Sequence, residues 1–250
     1  MQTLPSYVKD TNHALNIFSS LSLSPDKTYH LFLLDVVSLY TSIPHADGLA
    51  ALSFFLDQRS DLSIPTFALI RLAELVLNLN TFEFHGKFYK QTSGVAMGTK
   101  MGPSYACLFM GYLEYRILQQ YNGPLPLQYL RYIDDGFGIS DLPLASINRF
   151  IDFVCNFHPS IQFTSSVSTV SVNFLDITVS LSLGCHTLLT TVFYKPTYVH
   201  CYLLYTSSHP RTCRDSLPYS QLLRLRRLCQ DDVDFSRQAE LMLDFFRHRL

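Results

Sequence analysis

The sequence has no tryptophan and little charge. Of its 250 residues, 16% are Asp, Glu, Lys or Arg, whereas roughly 25% is usual in soluble domains. Hydrophobic residues make up 48%, and 15 Tyr and 19 Phe supply the aromatic rings. This composition excludes a disordered or collagen-like chain. It also suggests a piece of a larger protein, because a chain so apolar would expose apolar surfaces that the rest of the protein would bury.

Targeting segments are also missing. The most apolar stretch, 106–118, is interrupted by Glu114 and Arg116 and is shorter than the ~20 residues that cross a membrane. Residues 1–10 lack the basic start and apolar centre of a signal peptide. We therefore predict an intracellular protein, nuclear or cytoplasmic, that is not secreted and has no membrane partner. The net charge of −1 gives no overall signal for a nucleic-acid partner.

The six cysteines form no CxxC pair. In a chain of this length without a signal peptide, they are expected to be reduced and mostly in the core. His200, Cys201, His209 and Cys213 are close in sequence, but their spacing fits no standard four-ligand zinc site.

Hydrophobic periodicity and turn residues predict a mixed order of helices and strands. A hairpin is predicted over 81–91 around His85-Gly86. The remaining strands are expected at 30–37, 127–139 (two strands) and 163–193. Helices are expected at 8–18, 48–57, 65–79, 104–120 and 144–157, with two more within 218–250.

Three acids occupy unusual positions. Asp35 lies inside an apolar strand-like run, and Asp134 and Asp135 lie at the tip of a predicted hairpin. Adjacent carboxylates repel each other unless a cation lies between them or one of them keeps a proton. The alternative is that Asp35 ends a strand and that Asp-Asp-Gly is an ordinary turn.

The surrounding segments favour the first interpretation. In this order, they resemble the reverse transcriptases of Penelope-like retroelements. The segments that resemble the first, second and third catalytic blocks of the family are LDVVSLYTSIP (34–44), QTSGVAMGTKMGPSYACLFM (91–110) and RYIDD (131–135). The later palm and primer-grip segments are NFLDITVS (173–180) and VFYKPT (192–197), and the thumb segments are YLLYTSSHP (202–210) and RLRRLC (224–229).

The resemblance implies an α+β fold. This fold is a right-hand polymerase palm, in which helices back an antiparallel sheet, followed by a mainly helical thumb. It divides the chain into a remnant of fingers or connector (1–30), a palm (31–197) and a thumb-like region (198–250).

The resemblance also implies two-metal nucleotidyl transfer to a primer 3′-hydroxyl. Asp35 and Asp134 would bridge two Mg²⁺ ions, Asp135 would be the adjacent, more weakly coupled acid, and the Val36 carbonyl would be a further ligand. Mn²⁺ could replace Mg²⁺. The expected partners are an RNA template with a DNA primer, and dNTPs.

Further residues near the nucleotide are carried over from the family pattern. Tyr40 corresponds to the steric gate that rejects the ribose 2′-hydroxyl, although it could simply be a core aromatic. Gln91, Gly98 and Lys100 are expected to contact the dNTP or the template. Many reverse transcriptases have Gln immediately before the glycine that Gly98 matches. Here that residue is Met97, so the hydrogen bond usually given to the Gln is in doubt.

Four residues are predicted to contact nucleic acid: Tyr132, Lys195, Arg224 and Arg227. For the basic residues the alternative is a solvated surface, balanced by acids such as Asp231 and Asp232. We expect Arg131 to be a satisfied surface charge or a nucleic-acid contact, and Asp176 to be a hairpin feature rather than a metal ligand.

Two parts of such a retroelement protein are not found in the sequence. Only 34 residues precede Asp35, too few for complete fingers, and no GIY-YIG endonuclease motif is present. We therefore expect a palm-and-thumb fragment of a retrotransposon reverse transcriptase. The alternatives are a catalytically inactive nucleic-acid-binding remnant and a telomerase-like polymerase, which would need an RNA-binding domain upstream. The oligomeric state is left open.

Overall fold

The structure is a computed structural model that describes residues 4–182 and 187–247. It has the predicted α+β character, with antiparallel strand pairs and helices alternating along the chain. Within the described residues, no helix is both long and apolar enough to cross a membrane.

Eight helices and nine strands make up the described part of the chain. The helices are α1 (Thr11–Ser20), α2 (Leu39–Ser42), α3 (His45–Asp57), α4 (Thr66–Asn78), α5 (Gly102–Gln120), α6 (Leu144–Cys155), α7 (Arg211–Leu228) and α8 (Asp232–Arg247). The strands are β1 (His30–Val36), β2 (Thr81–Phe84), β3 (Lys87–Lys90), β4 (Gln128–Tyr132), β5 (Asp135–Ser140), β6 (Phe163–Ser168), β7 (Ser171–Phe174), β8 (Ile177–Leu181) and β9 (Leu188–Val192).

The predicted elements match most of these bounds, but the short helix α2 was not predicted, and residues 183–186 of the predicted strand region lie outside the described residues. The start of the first C-terminal helix was also predicted wrongly. The first of the two C-terminal helices begins at Arg211, not near Pro218, and Pro218 lies inside it. Proline has no N–H for the helical ladder, which is why helices usually start at or after it. Here α7 continues through the missing hydrogen bond.

The chain folds into two compact units. One contains residues up to Tyr7 together with Phe32–Ser166, and the other contains Val8–Leu31 together with Val167–Leu250. The segment 31–197, predicted as the palm, therefore contributes to both units. The assignment of palm and thumb boundaries stays a prediction.

A four-stranded sheet forms the centre of the first unit, in the order β4-β5-β1-β6. β4 and β5 are antiparallel, with register from Gln128↔Ile139 to Tyr132↔Asp135. Helix α6 covers part of this sheet, since the rings of Phe32 and Phe150 meet edge-to-face with centroids 6.2 Å apart. Helix α5 supplies the largest group of buried side chains, among them Tyr105, Ala106, Phe109, Met110, Leu113 and Ile117.

Two glycines in β5 allow close packing against the adjacent strands. A Cβ atom at Gly138 would overlap the ring of Phe32, and one at Gly136 would lie 2.9 Å from the carbonyl oxygen of Leu34. Phe32 and Leu34 are themselves fully buried. The glycines of Gly136-Phe137-Gly138 therefore allow β1 to pack closely against β5.

The second unit is built on the antiparallel sheet β7-β8-β9. Helices α7 and α8 are joined to β9 by hydrogen bonds: Thr190 Oγ1 donates to the Leu228 carbonyl at 2.9 Å, and the Gln230 N–H donates to the Thr190 carbonyl at 3.0 Å. Thr191 also donates to the Asp234 carboxylate. The end of α7 and the start of α8 are thus fixed along one strand.

The cysteines are only partly as predicted. No disulfide joins any two of the five cysteines that the structure describes. Cys107 and Cys229 are buried and Cys155 is half-buried, but Cys201 and Cys213 are exposed, so the prediction of a mostly core location is wrong for these two. Cys185 lies outside the described residues.

We expect Gly138→Ala to destabilise the first unit by about 1–3 kcal/mol, because overpacking forces rings and backbone apart. Urea unfolding followed by circular dichroism measures this change. The double variant Gly138→Ala/Phe32→Leu frees space at the same contact, so the two substitutions should couple by about 0.5–3 kcal/mol. Strict additivity would show that the contact does not limit this packing.

Candidate active site

Two neighbouring strands bring the predicted catalytic acids together. Asp35 is near the end of β1, Asp135 begins β5, and these strands are adjacent in the sheet. The backbone N–H of Val36 donates to the carbonyl of Asp134 at 3.2 Å, which joins the two strands directly at the acids. Asp35 is exposed, and Asp134 and Asp135 are half-buried.

The turn that carries Asp134 is tight and unusual. Tyr132 pairs with Asp135, so only Ile133 and Asp134 connect β4 to β5. Ile133 has φ of +54°, a left-handed conformation that is a genuine outlier for a β-branched residue. Such a conformation persists only where the surrounding structure holds it.

Arg131 provides that support. It is fully buried, which corrects the prediction of a surface charge or nucleic-acid contact. Its Nε donates to Glu114 Oε1 at 2.5 Å and its Nη2 donates to Glu114 Oε2 at 3.2 Å. Its Nη1 donates to the carbonyl of Ile133 at 2.8 Å, so the guanidinium holds the left-handed residue next to Asp134.

The charge of Arg131 is stabilised by its partner. Burial opposes the charge, but Glu114 in α5 raises the pKa of the Arg131 guanidinium above its ordinary value. Ser6 Oγ donates to Glu114 at 2.5 Å, and the Arg131 N–H donates to the Ser6 carbonyl at 2.6 Å. The segment before Tyr7, helix α5 and strand β4 therefore meet at one ion pair.

Sequence reasoning missed both Glu114 and Ser6. Glu114 was visible as an acid that interrupts the most apolar stretch of the chain. A charge in such a helix needs a buried partner, and Arg131 is the only cation of the RYIDD segment. Nothing in the sequence distinguishes Ser6 from the other serines.

Tyr40 shares the environment of the acids. It lies in the short helix α2, is half-buried, and its ring contacts the start of α5 near Gly102. The pKa of its hydroxyl is raised, mainly by burial and further by Cys107 and Asp134. The side chain is thus near Asp134, and its role as a steric gate stays a prediction.

The glycine-rich segment before α5 lies along the backbone of Tyr40. The Gly94 N–H donates to the Ile43 carbonyl at 3.0 Å and the Val95 N–H to the Tyr40 carbonyl at 2.6 Å. Gly94 has φ of +74°, and a Cβ atom there would come within 2.6 Å of Thr41 Cα. Only glycine fits this close backbone approach.

The other residues predicted near the nucleotide are in different situations. Gly98 has φ of +93° and faces open space, with exposed Met97 and Lys100 on either side of it in the chain. The side chain of Gln91 donates to the Ser93 carbonyl at 2.8 Å and accepts from Asn80 at 2.7 Å. Gln91 therefore closes a turn in this structure, and its predicted contact with substrate stays a prediction.

The predicted nucleic-acid contacts belong to both units. Tyr132 is half-buried beside the acids in the first unit. In the second unit, Lys195 and Arg227 are exposed, whereas Arg224 donates to Asp176 at 2.6 Å. Their contacts with nucleic acid stay predictions.

Asp176 has a structural role in the second unit. It follows Leu175, which has φ of +57°, in the turn between β7 and β8. It accepts from Arg224 on α7 and from Thr11 Oγ1 on α1, the latter at 2.5 Å. These contacts agree with the expected hairpin feature.

The donor set at Asp35 and Asp134 fits a hard divalent cation. Among residues 4–182 and 187–247, no three His, Cys, Asp or Glu side chains are grouped so that they could hold a metal ion. Mg²⁺ usually takes only one or two protein carboxylates and completes its shell with water and substrate phosphates. Asp35 on β1 and Asp134 in the turn before β5 supply carboxylates of this kind.

Solved polymerase structures share this fold. Telomerase from Candida albicans, solved in complex with a fragment of telomeric RNA, matches with a TM-score of 0.72 and 11% identity over 100% of this chain and 44% of that chain. Apo telomerase from Candida tropicalis matches with a TM-score of 0.60 and 11% identity over 75% and 36%. The RNA-dependent RNA polymerase of a human picobirnavirus matches with a TM-score of 0.59 and 10% identity over 94% and 43%.

The chain therefore has the palm-and-thumb fold of nucleic-acid polymerases. It spans less than half the length of each of these three proteins. Residues 201–249 match the family described as the animal helix-turn-helix domain, a stretch that contains α7 and α8. A search of curated protein sequences finds no match.

We expect Arg131→Met to cost about 3–5 kcal/mol, because it leaves the Glu114 carboxylate buried without its partner. The double variant Arg131→Met/Glu114→Leu removes both charges and should recover most of this loss. Arg149→Met is the control, since Arg149 is exposed in the same unit and should change stability by less than about 0.5 kcal/mol. Urea unfolding measures all three, and equal costs for Arg131→Met and Arg149→Met would contradict the role of the pair.

Proposed function

We propose that this chain is the polymerase domain of a retrotransposon reverse transcriptase of the Penelope-like type. One observation carries the proposal: in a polymerase fold, Asp35 on β1 lies beside the turn that carries Asp134. The order of the LDVVSLYTSIP, glycine-rich and RYIDD segments along the chain supports the family. The proposed reaction is RNA-directed DNA synthesis, a nucleotidyl transfer to a primer 3′-hydroxyl.

In this mechanism, Asp35, Asp134, Asp135 and the Val36 carbonyl would hold two Mg²⁺ ions, or Mn²⁺ in their place. The bound ions would activate the primer hydroxyl and neutralise the charge of the leaving group. The protein holds the carboxylates in fixed positions before substrate arrives, so little reorganisation is needed in the transition state. Arg131 contributes by fixing the turn that precedes Asp134.

Tyr40 would face the sugar of the incoming nucleotide. Its backbone is held by Val95, and Gly94 leaves no side chain between the two segments. A ring in a fixed position can exclude a 2′-hydroxyl by overlap, which selects dNTPs over ribonucleotides. Gly98 and Lys100 follow in the same exposed segment and are the proposed contacts to the template or the triphosphate.

The proposed nucleic-acid partner is an RNA template paired with a DNA primer. RNA is present in the telomerase complex from Candida albicans, whose fold this chain shares. Tyr132, Lys195, Arg224 and Arg227 are the proposed contacts. Cations bind phosphates regardless of base sequence, so this part of the interface would not choose a template.

The second candidate function is the binding of primed RNA without extension. The likeness to the three polymerases is one of fold, at 10–11% identity, and a fold can host binding without catalysis. Binding of a primer–template by the isolated chain, with no incorporation of dNTPs, would support this function over polymerisation.

We expect Asp134→Asn to lower primer extension on an RNA template by at least about a thousandfold, which corresponds to roughly 4 kcal/mol in the barrier. The reason is the loss of a charged ligand for the ions. Asp152→Asn removes an exposed acid of the same unit and should leave extension unchanged. Full activity of Asp134→Asn would contradict the assignment of Asp134 as a metal ligand.

We expect Tyr40→Ala to reduce discrimination against ribonucleotides by at least about tenfold, or roughly 1.4 kcal/mol. Tyr40→Phe keeps the ring and should retain discrimination. Single-nucleotide incorporation with dNTP and rNTP pairs gives the ratio of kcat/KM. An unchanged ratio in Tyr40→Ala would assign Tyr40 to the core instead.

A further inference from the structure

The hairpin β2–β3 has no buried side chain. All eight strand residues are exposed, and the two strands form a sheet of their own. Four of the eight are aromatic: Phe82, Phe84, Phe88 and Tyr89. Isolated hairpins are only marginally stable in water, and exposed rings grouped in this way mark a binding surface.

The register places rings on both faces of the hairpin. Phe82 is paired with Tyr89, and their rings stack with centroids 5.6 Å apart and planes 19° from parallel. Phe88 is paired with Glu83 on the opposite face and is 80% exposed. Flat rings with free faces can stack on other planar groups.

The charge around the hairpin is positive in a chain that is slightly negative overall. The first unit has three lysines: Lys87 and Lys90 lie on β3, and Lys100 lies in the segment before α5. Glu83 is the only acid between residues 79 and 101. Aromatic rings interleaved with lysines match the bases and phosphates of a nucleic-acid strand.

The base of the hairpin is connected to the candidate active site. The Gln91 N–H donates to the Asn80 carbonyl at 3.1 Å, and the two side chains are hydrogen-bonded to each other. Gln91 then donates to Ser93, the neighbour of Gly94, which is hydrogen-bonded to Ile43. The base of the hairpin is therefore joined by hydrogen bonds to the segment that contacts the backbone of Tyr40.

We propose that the hairpin β2–β3 is a stacking arm for single-stranded nucleic acid. Under the proposed function, on which this inference rests, the bound strand is the unpaired template. Single-stranded bases have free faces for Phe82, Phe88 and Tyr89, whereas the bases of a duplex are stacked on each other. Recognition of this kind is tolerant of sequence, because every base has a π-face.

The test is fluorescence anisotropy with a 20-nucleotide oligo(U) RNA labelled at its 5′ end. Phe82→Ala/Phe88→Ala should weaken binding by at least about fivefold for each ring that stacks. Phe67→Ala is the matched control: its ring is 76% exposed on α4, where no lysine is near in sequence. Binding of a blunt RNA duplex of the same length should be unaffected by the hairpin substitutions.

The salt dependence tests the lysines separately. Lys87→Gln/Lys90→Gln should lower the slope of log K against log salt by about 1.4, since each phosphate contact to a single strand contributes about 0.7. Urea unfolding of every variant should match wild type, because the substituted side chains are exposed. An unchanged slope would exclude phosphate contacts by these lysines.

The outcomes separate this inference from the proposed function. Wild-type affinity of Phe82→Ala/Phe88→Ala together with active primer extension overturns the arm but leaves the polymerase. Hairpin-dependent RNA binding with no extension supports the arm and counts against the polymerase. Self-association that is lost in the same variant, with RNA binding unchanged, would overturn the arm in favour of an interface between copies.

Discussion

The buried ion pair between Arg131 and Glu114 is the constraint on which the candidate active site depends. Removing these charges from water costs several kcal/mol per ion unless each is paired and hydrogen-bonded. The pair meets that condition through carbonyls of Ile133 and Cys107 and the hydroxyl of Ser6. Meeting it fixes the relative positions of α5, β4 and the turn before Asp134. The turn that carries Asp134 is thus held by a charge pair.

Peptide groups also make contacts that position the candidate active site. Val36 is joined to Asp134, and Gly94 and Val95 to the α2 segment, all through peptide groups. Peptide hydrogen bonds do not depend on side-chain rotamers, so they can fix a position before substrate binds.

Much of the fold was predictable, because strand alternation, turn residues and helical periodicity are local. The hairpin at His85-Gly86 and the strands on either side of Asp134 follow from such patterns. The burial of Arg131 does not, because its partner is 17 residues away on a helix and only three-dimensional packing pairs them. The early start of α7 was missed because Pro218 is locally unfavourable in a helix, yet the helix continues through it.

Gly138 in β5 has a consequence for how this sequence can vary. The ring of Phe32 on β1 occupies the space of the missing Cβ atom. A larger residue at position 138 is acceptable only with a smaller one at position 32, so these two strands must change together. The acids are carried by these two strands. Over evolutionary time, drift in the segments around the acids would therefore be slow and correlated, even at positions that never contact a nucleotide.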